Sequence, residues 1–278
     1  MNKLFFAVML SAALGSCASQ PESPVLRPLS AAALAMTTTR LDALLPLDVL
    51  LLGEQHDAAE HQQIHAQVIA LLAQRGVLAA LALEMADAGA STAKLRPSST
   101  EQQVKTALKW DNNSWPWAAY GPAVMTAVRA GVLVVGANLP RQFLRASMAN
   151  TLLDGQLPGP ALKAQQQLIR TGHCNLLPES QITPMTRIQI ARDMKMADTL
   201  KDVALPGKVV VLLAGSGHTD RQLGVPQHLP AKLKVSAVRL RAGDAAAADK
   251  ADAFDAVWAT PALPETDYCA AFKAQMGK

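Results

Sequence analysis

Six short, largely apolar runs, set at intervals from residue 41 onward, constrain this chain more than any other feature. They cover residues 49–52, 77–83, 132–137, 209–214, 235–240 and 254–258. Several, such as Val209-Val210-Val211-Leu212-Leu213-Ala214, are apolar at every position, so both faces of the strand they form must be covered. Between them, residues 60–74, 100–110, 122–130, 141–152 and 184–203 repeat apolar positions at helical spacing. Strand and helix in alternation predict an α/β fold, a mostly parallel central sheet flanked by helices. Residues 141–204 interrupt the alternation and read as helical throughout, so an inserted helical lobe is expected there. No repeat of about 20 to 50 residues is present, apart from one short echo.

That echo falls where open α/β sheets bind their ligands, beyond the carboxyl ends of the strands. Gly53-Glu54-Gln55-His56 follows the first strand and Gly215-Ser216-Gly217-His218 the fourth. Glu84 follows the second, and Asn138-Leu139-Pro140-Arg141 the third. A glycine lets the backbone turn sharply and approach a neighbour, and the histidine three residues on can point back over the sheet. A single Glu or His in such a place is more often a cap or a satisfied surface group. Two matched Gly-x-x-His units, with Glu54, Glu84 and Arg141 expected at the same edge, define a candidate site. Two imidazoles and two carboxylates could hold a divalent transition metal, or supply a base and an acid. Their spacing fits no standard zinc motif such as His-Glu-x-x-His. His61 and His65, four residues apart, share a helix face that reads as solvated.

The start of the chain reads as a processing signal. Lys3 gives one positive charge, residues 4–13 form an apolar run, and Leu14-Gly15-Ser16 precede Cys17. The run is shorter than the roughly 20 apolar residues that span a bilayer. Residues 1–16 are therefore expected to be removed on export. Leu-Gly-Ser-Cys resembles the lipobox of bacterial lipoproteins, which predicts a lipid anchor on Cys17. Several acyl chains hold a protein stably, since each buried methylene contributes about 0.8 kcal/mol. Ala18 stands where an aspartate often retains lipoproteins at the inner membrane, so the outer membrane is the expected location. Residues 17–40 read as a tether with at most one short helix, and 41–278 as the folded domain. Half of the residues are apolar, enough for a sizeable core. The net charge of +4 comes from scattered Lys and Arg, which argues against nucleic acid as a partner. Export places Cys174 and Cys269 in an oxidising compartment, where a disulfide is expected, two buried free thiols being the alternative.

Further segments carry a family resemblance. Leu51-Leu52-Gly53-Glu54-Gln55-His56-Asp57, Leu83-Glu84-Met85, Trp115-Pro116-Trp117 on to Tyr120-Gly121-Pro122, and Ala137-Asn138-Leu139-Pro140-Arg141 come first. Gly172-His173-Cys174, the stretch from Gln189 to Asp193 with Met196-Ala197, and Gly215-Ser216-Gly217-His218 on to Gly224-Val225-Pro226 follow. In this order they resemble the ChaN family, the haem-binding uptake branch of the Tiki, TraB and erythromycin-esterase-like superfamily. Val257-Trp258-Ala259-Thr260-Pro261 and Asp267-Tyr268-Cys269 extend the likeness to the end of the chain.

The resemblance implies a lipoprotein that takes part in iron or haem acquisition beside an outer-membrane receptor. It also implies a haem pocket formed as two copies pair. Haem needs an apolar slot, cations for its propionates and an axial ligand, for which tyrosinate and imidazole both suit iron. Of the two tyrosines, Tyr120 in the Trp-rich segment is the expected ligand, with His173 second and His218 a further haem-binding candidate. Arg141 or Arg192 would pair with a propionate. Packing of Tyr120 on Pro122 and Trp117 is the structural alternative. The Tiki relatives imply a rival, a metal-dependent peptidase in which Glu54, His56, Glu84 and His218 bind a divalent ion and activate water. Haem binding stands ahead of it, so the chain reads as a binder rather than an enzyme. A third reading makes the polar cluster a hydrogen-bonded brace.

Overall fold

The computed structural model describes residues 30–243 and 253–276. Cys17 and the export signal lie outside the described residues, as does residue range 17–29 of the expected tether. All six apolar runs form strands: β1 (Val49–Glu54), β2 (Leu78–Asp87), β3 (Leu133–Asn138), β4 (Val209–Gly215), β5 (Val235–Ala242) and β6 (Ala256–Thr260). They pair in parallel as one sheet, in the order β3-β2-β4-β1-β5-β6. Along β4, Val209, Val211 and Leu213 enter one hydrophobic layer while Val210, Leu212 and Ala214 enter the other. Alternate residues of a strand point to opposite faces, and both faces here are covered, hence the unbroken apolar sequence.

Nine helices surround the sheet among the described residues: α1 (Ala31–Asp42), α2 (Ala59–Gln74), α3 (Glu101–Leu108), α4 (Trp117–Arg129), α5 (Leu144–Ala149), α6 (Gly159–Gly172), α7 (Glu179–Asp202), α8 (Ser216–Thr219) and α9 (Tyr268–Met276). One face is covered by Leu41 of α1, Ile64, Val68 and Leu72 of α2, Val104 of α3 and Val124 of α4. The other is covered by Met196, Ala197 and Leu200 of α7. Each Val, Leu, Ile or Met among them contributes about 1.5–3 kcal/mol when fully buried.

Two helices begin earlier than their prolines suggest. α4 starts at Trp117 with Pro122 inside it, and α7 at Glu179 with Pro184 inside it. A proline this near a helix start forfeits one backbone bond, a small loss beside the burial of the remaining turns. In α4 the preceding residue is Gly121, which has no Cβ to meet the proline ring. Its bare Cα also lies beneath Trp117, since a Cβ there would come within 2.5 Å of the indole nitrogen.

The expected lobe lies between β3 and β4. Its first helix is shorter than residues 141–152 suggested, because Asn150 turns extended after α5 and its side chain accepts from the Leu152 amide. Leu153, Leu157 and Ile190 form a small core of its own. Arg187 on α7 donates to both oxygens of Asp154 at 2.8 and 2.6 Å, and to the Met148 carbonyl at 3.0 Å. Cys174, just after α6, and Cys269 on α9 form the expected disulfide.

β1 leads on toward β2 and β3 on one side of the sheet, whereas β4 leads to β5 on the other. β1 and β4 are neighbours, so the crevice beyond their carboxyl ends is a topological switch point.

Candidate functional site

The strand register brings the two Gly-x-x-His units side by side. Gly53 of β1 lies opposite Ala214 of β4, and Glu54 opposite Gly215. β2 flanks β4 with Leu83 opposite Leu213, which sets Glu84 at the same edge. Each loop seats the other. A Cβ on Gly53 would fall 2.2 Å from Thr219 Oγ1 and 2.9 Å from Ser216 Cα, and one on Gly215 would fall 2.8 Å from His56 Nε2.

Glu54 is buried, yet it is fully partnered. The Tyr120 hydroxyl and His56 Nδ1 donate to Oε1 at 2.6 and 2.7 Å, and Gln62 Nε2 donates to Oε2 at 2.8 Å. His65 Nδ1 lies 3.5 Å from Oε2. Burial alone would raise the Glu54 pKa, but the His56 hydrogen bond and the nearby imidazoles His65 and His56 outweigh it and hold the pKa below the ordinary value. Burial would likewise discharge His56. The bond to Glu54 and the charge of Glu84 prevail, so its pKa is raised.

A second unit faces the first. His218 is buried with Nδ1 2.5 Å from Asp193 Oδ1 and Nε2 3.4 Å from Glu84 Oε1, and the Gln189 amide nitrogen lies 3.1 Å from Nδ1. The Gly215 amide donates to Glu84 Oε2 at 2.7 Å. Burial disfavours the imidazolium, but the Glu84 and Asp193 carboxylates beside it push the His218 pKa up to about 10. Glu84, which burial would raise, is held down to about 2 chiefly by the His218 charge. Asp193 is raised to about 6, because burial and the Glu84 charge exceed the pull of His218.

Glu54, His56, Glu84, Gln189 and His218 line a cavity of about 480 Å³. A second cavity of about 300 Å³ lies across His56, walled by Trp115, Pro116, Ala119 and Tyr120. The four residues Glu54, His56, Glu84 and His218 are therefore brought together as their positions suggested. They pair with one another, and among the described residues no group of three or more His, Cys, Asp or Glu gathers as the ligands of one ion would.

Other expected positions are distributed differently. Arg141 is exposed after β3 and does not line the cavity. Arg192 is half-buried beside Asp193, its Nε enclosed without a hydrogen-bond partner. Tyr120, the expected iron ligand, is 1% exposed and turned inward to Glu54. Burial and the Glu54 charge raise its pKa, which opposes the tyrosinate form. His61 and His65 are buried, which corrects their reading as a solvated face. They share the core-facing stripe of Val68 and Leu72, and the spacing of these four residues was the missed signal. His61 Nδ1 accepts from the Gln55 amide at 3.0 Å, and its Nε2 lies 3.1 Å from Thr260 Oγ1. Asp193 and Gln189 went unnoticed as site residues, although two polar side chains four apart beside the buried Ile190 and Met196 mark one helix face. No local pattern could reveal that Tyr120 and Gln62 complete Glu54.

A family model described as haem-binding uptake, Tiki superfamily, ChaN matches residues 41–229. The chain belongs to the ChaN family. A solved structure of cofacial haem binding to ChaN of Campylobacter jejuni is 27% identical, covers 74% of this chain and 86% of that one, and has a TM-score of 0.61. An erythromycin esterase, EreC, in its open conformation is 16% identical over 78% of this chain and 75% of that one, with a TM-score of 0.46. The type III effector HopBA1 is 18% identical over 86% and 99% of the two chains, with a TM-score of 0.48. A search of curated proteins gives no match.

Haem is the cofactor of the ChaN family. One side chain suited to haem iron stands at the end of the lobe helix α6. His173 closes α6 and is half-buried, and its Nδ1 lies 2.8 Å from the Ile169 carbonyl. A carbonyl only accepts, so Nδ1 donates to it, which leaves Nε2 as the nitrogen a neutral ring would offer to a metal. Phe272 meets the ring edge-on at 5.7 Å between centroids.

Proposed function

We propose that this protein binds haem and serves haem or iron uptake as a lipid-anchored protein of the outer membrane. The family match over residues 41–229 carries the haem reading. His173 is the best-prepared axial ligand, since its ring is oriented by the bond from Nδ1 to the Ile169 carbonyl and, among the described residues, no carboxylate pairs with it. Tyr120 would first have to leave Glu54. Bound haem supplies an iron centre and two anionic propionates. Arg141, exposed at the sheet edge, is available to a propionate, whereas Arg192 is half-buried beside Asp193. Phe143, Leu152 and Leu168 expose apolar surface on the lobe, which favours pairing of two copies around the cofactor. Cys17 holds the anchor, and a receptor in the same membrane is the expected partner.

Hemin titrated into the mature protein should give saturable binding with a shifted Soret band. His173→Ala should change that band and weaken binding roughly tenfold or more, while Tyr120→Phe should leave the band in place. If only Tyr120→Phe alters it, the ligand assignment is wrong. Cys17→Ala should abolish incorporation of labelled fatty acid in cells.

His56 favours a second reading. Its Nδ1 is fixed by a carboxylate and its Nε2 lies against Gly215 at the cavity, the arrangement of an oriented general base. His218, held as imidazolium, would be the acid. The four side chains pair with one another as an acid and a base would. A screen of ester and peptide substrates tests it. Hydrolysis that survives a chelator and disappears in His56→Ala would support it.

A further inference from the structure

The C-terminal helix is fastened by a bond that a reductant can reach. Cys269 is exposed and Cys174 only half-buried, and exposed disulfides are the labile ones. Among the described residues α9 packs broadly on no other helix or strand, and residues 264–270 are all exposed. Residues 261–267, which join it to β6, have no regular structure. Among the described residues the disulfide and two side-chain contacts are what hold α9.

Two contacts flank that bond. The Tyr268 hydroxyl donates to the Asp57 carboxylate, next to His56, and Phe272 lies edge-on to His173. The helix thus bridges the first Gly-x-x-His loop and the end of the lobe. Cys174 itself sits at φ 57, followed by Asn175 at φ 57. Asparagine tolerates the left-handed region, but cysteine avoids it, and such a conformation lasts only while its surroundings enforce it.

We propose that Cys174–Cys269 is a redox latch that holds α9 across His173 and the Asp57 loop, and that a dithiol reductant opens it. One thiolate of the reductant attacks the exposed Cys269 sulfur, the bond between the two cysteines breaks, and Cys174 leaves as a thiolate that takes up a proton. The second thiol of the reductant then attacks the mixed disulfide and releases Cys269 as a thiol. The reductant ends as a disulfide, having given two electrons. α9 then swings on residues 261–267 and bares His173. The latch stands whatever His173 binds.

The test uses the mature protein without ligand, oxidised or treated with dithiothreitol, capped with iodoacetamide and freed of reagent. Amide exchange and diethyl pyrocarbonate labelling of His173 are read by mass spectrometry. Opening should speed exchange across α9 by about tenfold or more and label His173 several-fold faster, with protection of β1, β2 and β4 unchanged. Cys269→Ala should reproduce the reduced pattern. Unchanged exchange in α9 or unchanged labelling of His173 would overturn the proposal. So would loss of protection in the sheet, since the bond would then hold the fold and not a strap.

Discussion

Glu54 keeps its charge at a buried strand end because three neighbours donate to it. Tyr120→Phe preserves the ring but removes one donor, leaving a buried acceptor short of a partner. A loss of about 1–3 kcal/mol is expected, seen as a lower midpoint in urea unfolding. The glycines are as specific as the charged residues. Gly215→Ala would set a methyl group 2.8 Å from His56 Nε2, driving the ring away from Glu54, and should cost about 1–3 kcal/mol. Its effect should be greater than that of Gly217→Ala, where a Cβ meets nothing within 4 Å. His218 depends on its two carboxylates, so Asp193→Asn should lower its pKa from about 10, as followed by ring-proton NMR. An unmoved titration would mean that Glu84 alone sustains the charge.

α7 links lobe to sheet. Its buried face contributes Met196, Ala197 and Leu200 to the core, while Gln189 and Asp193 reach His218 and Arg187 grips Asp154. Arg187 is well shielded and Asp154 partly exposed, so the pair is discounted for solvent. Arg187→Ala should speed amide exchange in residues 151–157 before it affects the sheet. Legibility differed among the elements for a physical reason. A strand covered on both faces must be apolar throughout, so β1 and β4 were plain in the sequence. α4 and α7 were read too short because proline weakens a helix locally, whereas the burial that extends it through Trp117 and Ile182 is tertiary.

For the whole molecule, burial of titrating groups links stability to pH. The His218 pKa is raised in the fold, so its contribution is complete below pH 6.5 and is lost as pH rises toward about 10. The Glu84 pKa is lowered, so its contribution is complete above 4.5 and is lost as pH falls toward about 2. His61 is held neutral down to about 4, chiefly by burial, and its contribution fades as pH falls from 6.5. Asp193 acts oppositely, losing stability as pH rises from 3.8 to about 6. Each group changes stability by about 1.4 kcal/mol per pH unit within its window. Asp193 offsets only part of the His61 loss, since His65 and His228, also lowered by burial, lose stability in the same direction, so the melting temperature should peak near pH 6.5 and fall on either side. A melting temperature that climbs steadily to pH 9 would refute the charged state assigned to His218.

The six strands, the lobe between the third and fourth, and the gathering of Glu54, His56, Glu84 and His218 at one edge were all legible in the sequence. Those features follow from local patterns: continuous apolar runs, helical periodicity and glycines at strand ends. Packing in three dimensions was needed to place β4 between β1 and β2, to bring Tyr120 and Gln62 to Glu54 and Asp193 to His218, and to turn His61 to the core. Residues 66 and 25 positions apart meet because burial of whole faces fixes how strands and helices stack, and that sum of many weak contacts leaves no mark at any single position.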